Sequence, residues 1–415
     1  MKKLILLLLC LVILIVGVAC NNNGSNETNS SVATLCKHDD PTQIISVEAT
    51  AATCQESGLT AGIKCNLCGT FVTPQAIIPI IDCQSSNWIV DKIPTHQEDG
   101  AQHTECTMCK KILKQETLAA GSYGLDFLEN DDGTYTVVGV GTCEDTEIVI
   151  PKTHNGKAVT SIGEKAFYGR AYLTSITIPD SVANIGGEAF YVCSSLTSVH
   201  INDIAAWCAI EFSSNPLSYA KNLYLNGELV TDLVIPESVT SISNSAFYNC
   251  TSLTSVTIGN SVTSIGEKAF AFCSSIETIT VDEGNTVYHS NANCLIQTAS
   301  KTLITGCKNS IIPTDGSVTS IGDYAFSSCK SITIPDSVTS IGYYAFYGCT
   351  SLTSITIPNS VRRINNHAFR DCTSLTSITF EGTVAEWNAI VFSTYWHYNV
   401  PATEVVCSDG VVKLK

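Results

Sequence analysis

The chain has 415 residues, of which 44% are apolar and 8% aromatic, enough to bury a substantial core in two or three domains. It carries 22 Lys and Arg against 38 Asp and Glu, and a net charge of -16 repels a phosphate backbone, which argues against nucleic acid as a partner. Phosphate-cradling glycine loops and HExxH motifs are absent, and no nucleophile and base pair is evident.

In chain order, two lysines precede an unbroken apolar run from Leu4 to Ala19. Sixteen residues is short for a membrane span of about 20, so the run reads as an export signal over residues 1–20. Gly17 and Ala19 directly before Cys20 resemble the lipobox of bacterial lipoproteins, which implies lipidation at Cys20 and membrane anchoring. Gly17 departs from the Leu that pattern prefers, so simple cleavage after Ala19 stays open. Residues 21–34 form a polar tract with little to bury, expected to act as a flexible tether.

Residues 35–115 crowd seven cysteines with His38, His96 and His103. The segment divides into two similar halves, each ending in CxxC: Cys65 to Cys68, and Cys106 to Cys109. Four thiolate or imidazole donors, two of them on a CxxC turn, suit tetrahedral zinc. The expected sets are Cys36, Cys54, Cys65, Cys68 and Cys83, His96, Cys106, Cys109, with His38 competing with Cys36 and His103 with His96. Disulfide pairing is the alternative that export permits. Cysteine in the first half is exchanged for histidine in the second, which favours metal in a ribbon-like structural module. A redox CxxC is a third reading, without a surrounding βαβ pattern to support it.

From residue 122 onward the phenylalanine of an "AF" pair works as a ruler: Phe167, Phe190, Phe247, Phe270, Phe326, Phe346 and Phe369. The intervals are 23, 57, 23, 56, 20 and 23, a solenoid period with two long irregular inserts and one coil trimmed by three residues. Within a unit such as LTSITIPDSVTSIGEKAFYGC, "LTSITI" alternates with period two and predicts a strand ended by Pro179, Pro236, Pro335 or Pro358. "VTSIG" predicts a second short extended run, and "EKAFYGC" a helical or 3₁₀ turn. Cys193, Cys250, Cys273, Cys329, Cys349 and Cys372 each follow the ruler by three residues and read as buried apolar fillers. Arg170 takes that place in the first coil.

The period, the "AF" pair and the "SLTSITIP" strands resemble the BspA-like leucine-rich repeat proteins of bacterial surfaces. The resemblance covers residues 122–415, including an N-terminal hairpin cap, an irregular insert and an aromatic closing segment. It implies an α/β repeat solenoid, a right-handed superhelix with a parallel concave sheet, with no cofactor in the repeat domain. It also implies an exported cell-surface, adhesin-like protein that binds proteins, with host extracellular-matrix or plasma proteins as candidate partners.

Strand residues facing away from the core are the first place for such binding: Ser175 and Thr177, Ser198 and His200, Ser255 and Thr257, Ser354 and Thr356. Nearly all are hydroxyl residues, without the aromatic and arginine anchors of tight interfaces. A structural antigen or spacer without a dedicated ligand is therefore the second reading, and a metal- or redox-responsive cysteine module the third. Two inserts share AxWxAIxFS, making Trp207 and Trp387 equivalent coil fillers. Tyr395, Trp396 and Tyr398 lie past the shared part and are the aromatic binding candidates, with covering the open C-terminal end of the core as their alternative role.

Overall fold

A single coil exposes nearly all its apolar groups, so its residues gain stability only when a neighbouring coil covers them. A computed structural model describes residues 41–326 and 332–414, and in it each coil is covered in this way. Cys20, Cys36, His38, the export signal, the tether and Cys329 of the trimmed coil lie outside the described residues. The chain divides into two compact units, residues 1–83 and 84–415.

In the first unit, strands Ile44–Val47, Gly62–Cys65 and Phe71–Thr73 form an antiparallel sheet with Gly62–Cys65 in the middle. In the second, Ile89–Lys92, Gly100–Glu105 and Ile112–Leu118 repeat that order with Gly100–Glu105 in the middle. Each middle strand runs into a CxxC turn, and the chain then returns as the third strand. The turn closes through a left-handed residue, Gly69 at φ 72° and Lys110 at φ 63°.

The repeats follow an antiparallel hairpin, Asp126–Glu129 with Tyr135–Gly139. In a regular coil such as Ser255–Ile258, Val256 and Ile258 are buried while Ser255 and Thr257 face outward, the alternation that period two demands. Equivalent strands pair in parallel, Ser175 opposite Ser198 and Ser255 opposite Thr278. The "SIG" runs make a second parallel ladder on the other edge, for example Ser241–Ile242 with Ser264–Ile265. Adjacent coils approach closely here: a Cβ on Gly266 would lie 2.4 Å from the backbone nitrogen of Asn244.

The turn after each "SIG" run carries the ruler. Rings stack from coil to coil, Phe167 on Phe190 at 5.3 Å, Phe247 on Phe270 at 5.5 Å and Phe346 on Phe369 at 5.0 Å. Burying such a ring contributes roughly 1.5–3 kcal/mol. Left-handed backbone flanks the ruler on both sides, Lys165, Glu188, Ser245 and Lys268 two residues before it and Gly169, Val192, Asn249 and Phe272 two residues after. The recurrent cysteine is filler and also a donor. Cys193 Sγ donates to Phe167 O at 3.1 Å, Cys273 to Phe247 O at 3.0 Å and Cys372 to Phe346 O at 3.1 Å, each reaching the ruler residue of the preceding coil.

The inserts are built from other elements. One carries the helix Ile204–Ala209, capped by the Asp203 side chain. The other folds as a meander of Tyr288–Asn291, Cys294–Gln297 and Thr302–Thr305. Its middle strand divides the interior: Leu295 belongs to one core, which runs from Leu125, while Cys294 and Ile296 open a second that ends at Cys407.

Candidate functional site

The outward strand residues line up into rows because the ladders are parallel and in register. Ser175 and Ser198 form one pair, Thr177 and His200 another, and Ser354 and Thr356 sit opposite Ser377 and Thr379. Several hydroxyls bond across coils: Thr257 and Thr280 at 3.0 Å, and Ser255 to Asp232 Oδ1 at 2.6 Å. His200 departs from the pattern by stacking on Tyr224 at 4.7 Å, and burial lowers its pKa, so it presents a neutral ring near pH 7. The outward rows are polar and are distributed over three parallel ladders.

Trp396 is not part of an exposed patch. It is 6% exposed and packs on Trp387 at 5.8 Å, Phe392 at 5.4 Å and Phe369 at 6.0 Å, because the last coil needs a large ring over its open end. Tyr395 and Tyr398 remain 62% and 53% exposed, and Arg370 lies 5.1 Å over the Tyr398 ring. Trp207 and Trp387 are both buried against the phenylalanine five residues on, Phe212 and Phe392, as the shared pattern predicts.

The cysteine segment is arranged differently from the expected sets. In the first unit the Sγ atoms of Cys54 and Cys83 lie within 4.8 Å of each other, although they belong to different expected sets. The Thr50–Leu59 bridge and the hydrogen bond from Ile81 N to Thr53 O at 3.1 Å bring their backbones together. Cys68 Sγ instead donates to Thr70 Oγ1 at 3.3 Å. In the second unit Cys106 and Cys109 keep their sulfurs within 4.8 Å on one turn. His96 turns elsewhere: its Nε2 lies 3.1 Å from Asp145 Oδ2 and 3.2 Å from Ser122 Oγ. His103 Nδ1 pairs with Asp91 at 2.8 Å.

One concavity of the repeat unit was not anticipated from the sequence. Tyr191, Tyr248 and Tyr347 occupy the position directly after the ruler and converge with Tyr219 and Phe272 on a single cleft. The recurrent tyrosine was visible in the repeat, but the cleft forms only where the first insert stands beside the regular turns.

Parallel coils, each with two short extended runs and a ruler ring, define a leucine-rich repeat solenoid. The description BspA type Leucine rich repeat region matches residues 141–215, 218–301 and 297–403 with six copies, and the chain belongs to that family. A leucine rich cell surface protein from Faecalibacterium prausnitzii A2-165 is 25% identical, with 66% of this chain and 97% of that one covered and a TM-score of 0.36. The pneumococcal vaccine antigen PcpA is 19% identical over 69% of this chain and 85% of its own, with a TM-score of 0.42. A leucine-rich repeat protein from Bacteroides ovatus ATCC 8483 is 25% identical over 68% and 77%, with a TM-score of 0.34. No curated protein matches the chain.

Proposed function

We propose that this is an exported cell-surface protein, lipid-anchored at Cys20, whose repeat unit binds other proteins and has no catalytic role. The observation that carries the reading is the set of in-register outward rows, Ser175, Thr177, Ser198, His200, Ser255, Thr257, Ser354 and Thr356, which offer an extended hydrogen-bonding face. Host matrix and plasma proteins are the partners to test first. Saturable binding of fibronectin or fibrinogen to the purified protein, weakened about tenfold by Thr257→Lys with Thr356→Lys, supports it. Binding that ignores both substitutions sinks the role of this face. A spacer without a ligand is the second reading, favoured by the scarcity of aromatic and arginine anchors on the rows.

For the cysteine segment we propose structural zinc. Cys54 with Cys83 in the first unit, and Cys106 with Cys109 in the second, are close thiol pairs, and thiolates are the donors that structural zinc takes. Metal analysis of the purified protein should find zinc that is lost in Cys106→Ser with Cys109→Ser. Zero metal together with blocked thiols points to disulfides.

A further inference from the structure

The cleft on the turn face has a chemistry distinct from the sheet rows. The first insert lengthens the ruler interval to 57 residues, and Asn215 pins it in place. Its Nδ2 donates to Ser245 O at 2.7 Å and Ala246 O at 3.1 Å, while its Oδ1 accepts from Leu217 N at 2.7 Å. The pinned insert forms one wall. Phe272 forms the other, edge-on to Tyr248 at 5.2 Å and to Tyr347 at 5.5 Å. The cleft measures about 630 Å³, within the roughly 300–1,000 Å³ of ligand sites.

Its lining comprises six aromatic rings, four serines, two asparagines and a single lysine, with no carboxylate, in a chain of net charge -16. A cationic ligand therefore has no counter-charge in the cleft. A phosphate would have only Lys268, whose Nζ already sits 4.8 Å over the Tyr324 ring. An acyl chain would strip water from the Ser213, Ser214, Ser218 and Ser245 hydroxyls and return no hydrogen bond. What fits is a molecule with apolar C–H faces for the rings and a rim of hydroxyls for the serines and Asn249.

We propose that this cleft binds an oligosaccharide, with sugar faces against Tyr248, Phe272 and Tyr347 and sugar hydroxyls bonded to the serine and asparagine edge. The site is separate from the strand rows and stands whether or not those bind protein.

The test uses the purified protein on a glycan array. Titration then follows with whichever oligosaccharide scores, and with cellotetraose, chitotetraose and a galacturonate tetramer as fixed probes, the last reporting whether Lys268 selects an acidic sugar. Tyr347→Ala removes one of the lining rings and Ser218→Asp puts a carboxylate at an exposed lining position. Each is expected to weaken binding by about tenfold or more, with the unfolding midpoint unchanged for Ser218→Asp. Tyr343→Ala, exposed but outside the cleft, should leave binding as it is. The proposal is overturned if no glycan saturates below ~10 mM, if binding survives both lining variants, or if only peptides bind at the cleft.

Discussion

Val192 shows how a coil tolerates local strain. It sits at φ 63°, where the equivalent residues of other coils include Gly169 and Gly348. Left-handed backbone costs an L-residue roughly 1–2 kcal/mol, more so with a branched Cβ. Val192→Gly is expected to stabilise the protein by about 1 kcal/mol in urea titration, and a loss of stability would refute the strain account. The buried cysteines set a second residue-scale expectation. Burial pushes Cys193 up to about 11, and Cys208 and Cys294 up to about 12, from an ordinary 9.0. Between these values the unfolded chain has released its thiol protons and the folded one has not, so stability is full below about pH 9 and falls as pH rises through 11–12. Unfolding midpoints measured from pH 8 to 11 should decline, and Cys208→Ala should flatten the slope relative to its own neutral-pH value. The sequence identified the recurrent cysteines, Cys193 among them, as filler; the hydrogen bonds of Cys193, Cys273 and Cys372 to the preceding ruler carbonyl needed the coil spacing.

At the scale of elements, the two tryptophan inserts are the clearest case of one sequence pattern producing one structure. Trp207 Nε1 donates to Ala246 O at 2.9 Å inside the core, and Asn215 Nδ2 donates to the same carbonyl, so Trp207→Phe removes one of its two donors and should cost about 1 kcal/mol for that hydrogen bond. The closing helix Val384–Asn388 begins with a capping box between Thr383 and Glu386. Thr383→Ala should cost roughly 1 kcal/mol, read as an earlier loss of helix signal in thermal unfolding. For Trp396 the sequence left two roles open, binding surface or cover of the C-terminal end; its neighbours Tyr395 and Tyr398 are exposed, and the packing on Phe369 decides that Trp396 is core. The setting of His96 is likewise invisible to spacing: Asp145 and Ser122, distant in sequence, hold its ring.

At the scale of the repeat unit, stability is a sum of neighbour contacts, and the interior divides at the strand Cys294–Gln297. Phe346 stacks between Phe326 at 5.6 Å and Phe369 at 5.0 Å, entirely within the second core. Phe346→Ala should cost about 3–5 kcal/mol and lower the transition of the second core while the first persists, giving two calorimetric transitions in place of one. A single transition shifted as a whole would show that the two cores unfold together. Periodicity by itself determined the coil, its buried residues and its outward hydroxyls, because each coil repeats the same local pattern against the same kind of neighbour. Tertiary structure decided what repetition cannot encode: which sulfurs meet, where Trp396 goes, and that an insert pinned by Asn215 beside regular turns leaves a cleft. Those outcomes depend on side chains brought together from residues tens of positions apart, and no local pattern specifies such meetings.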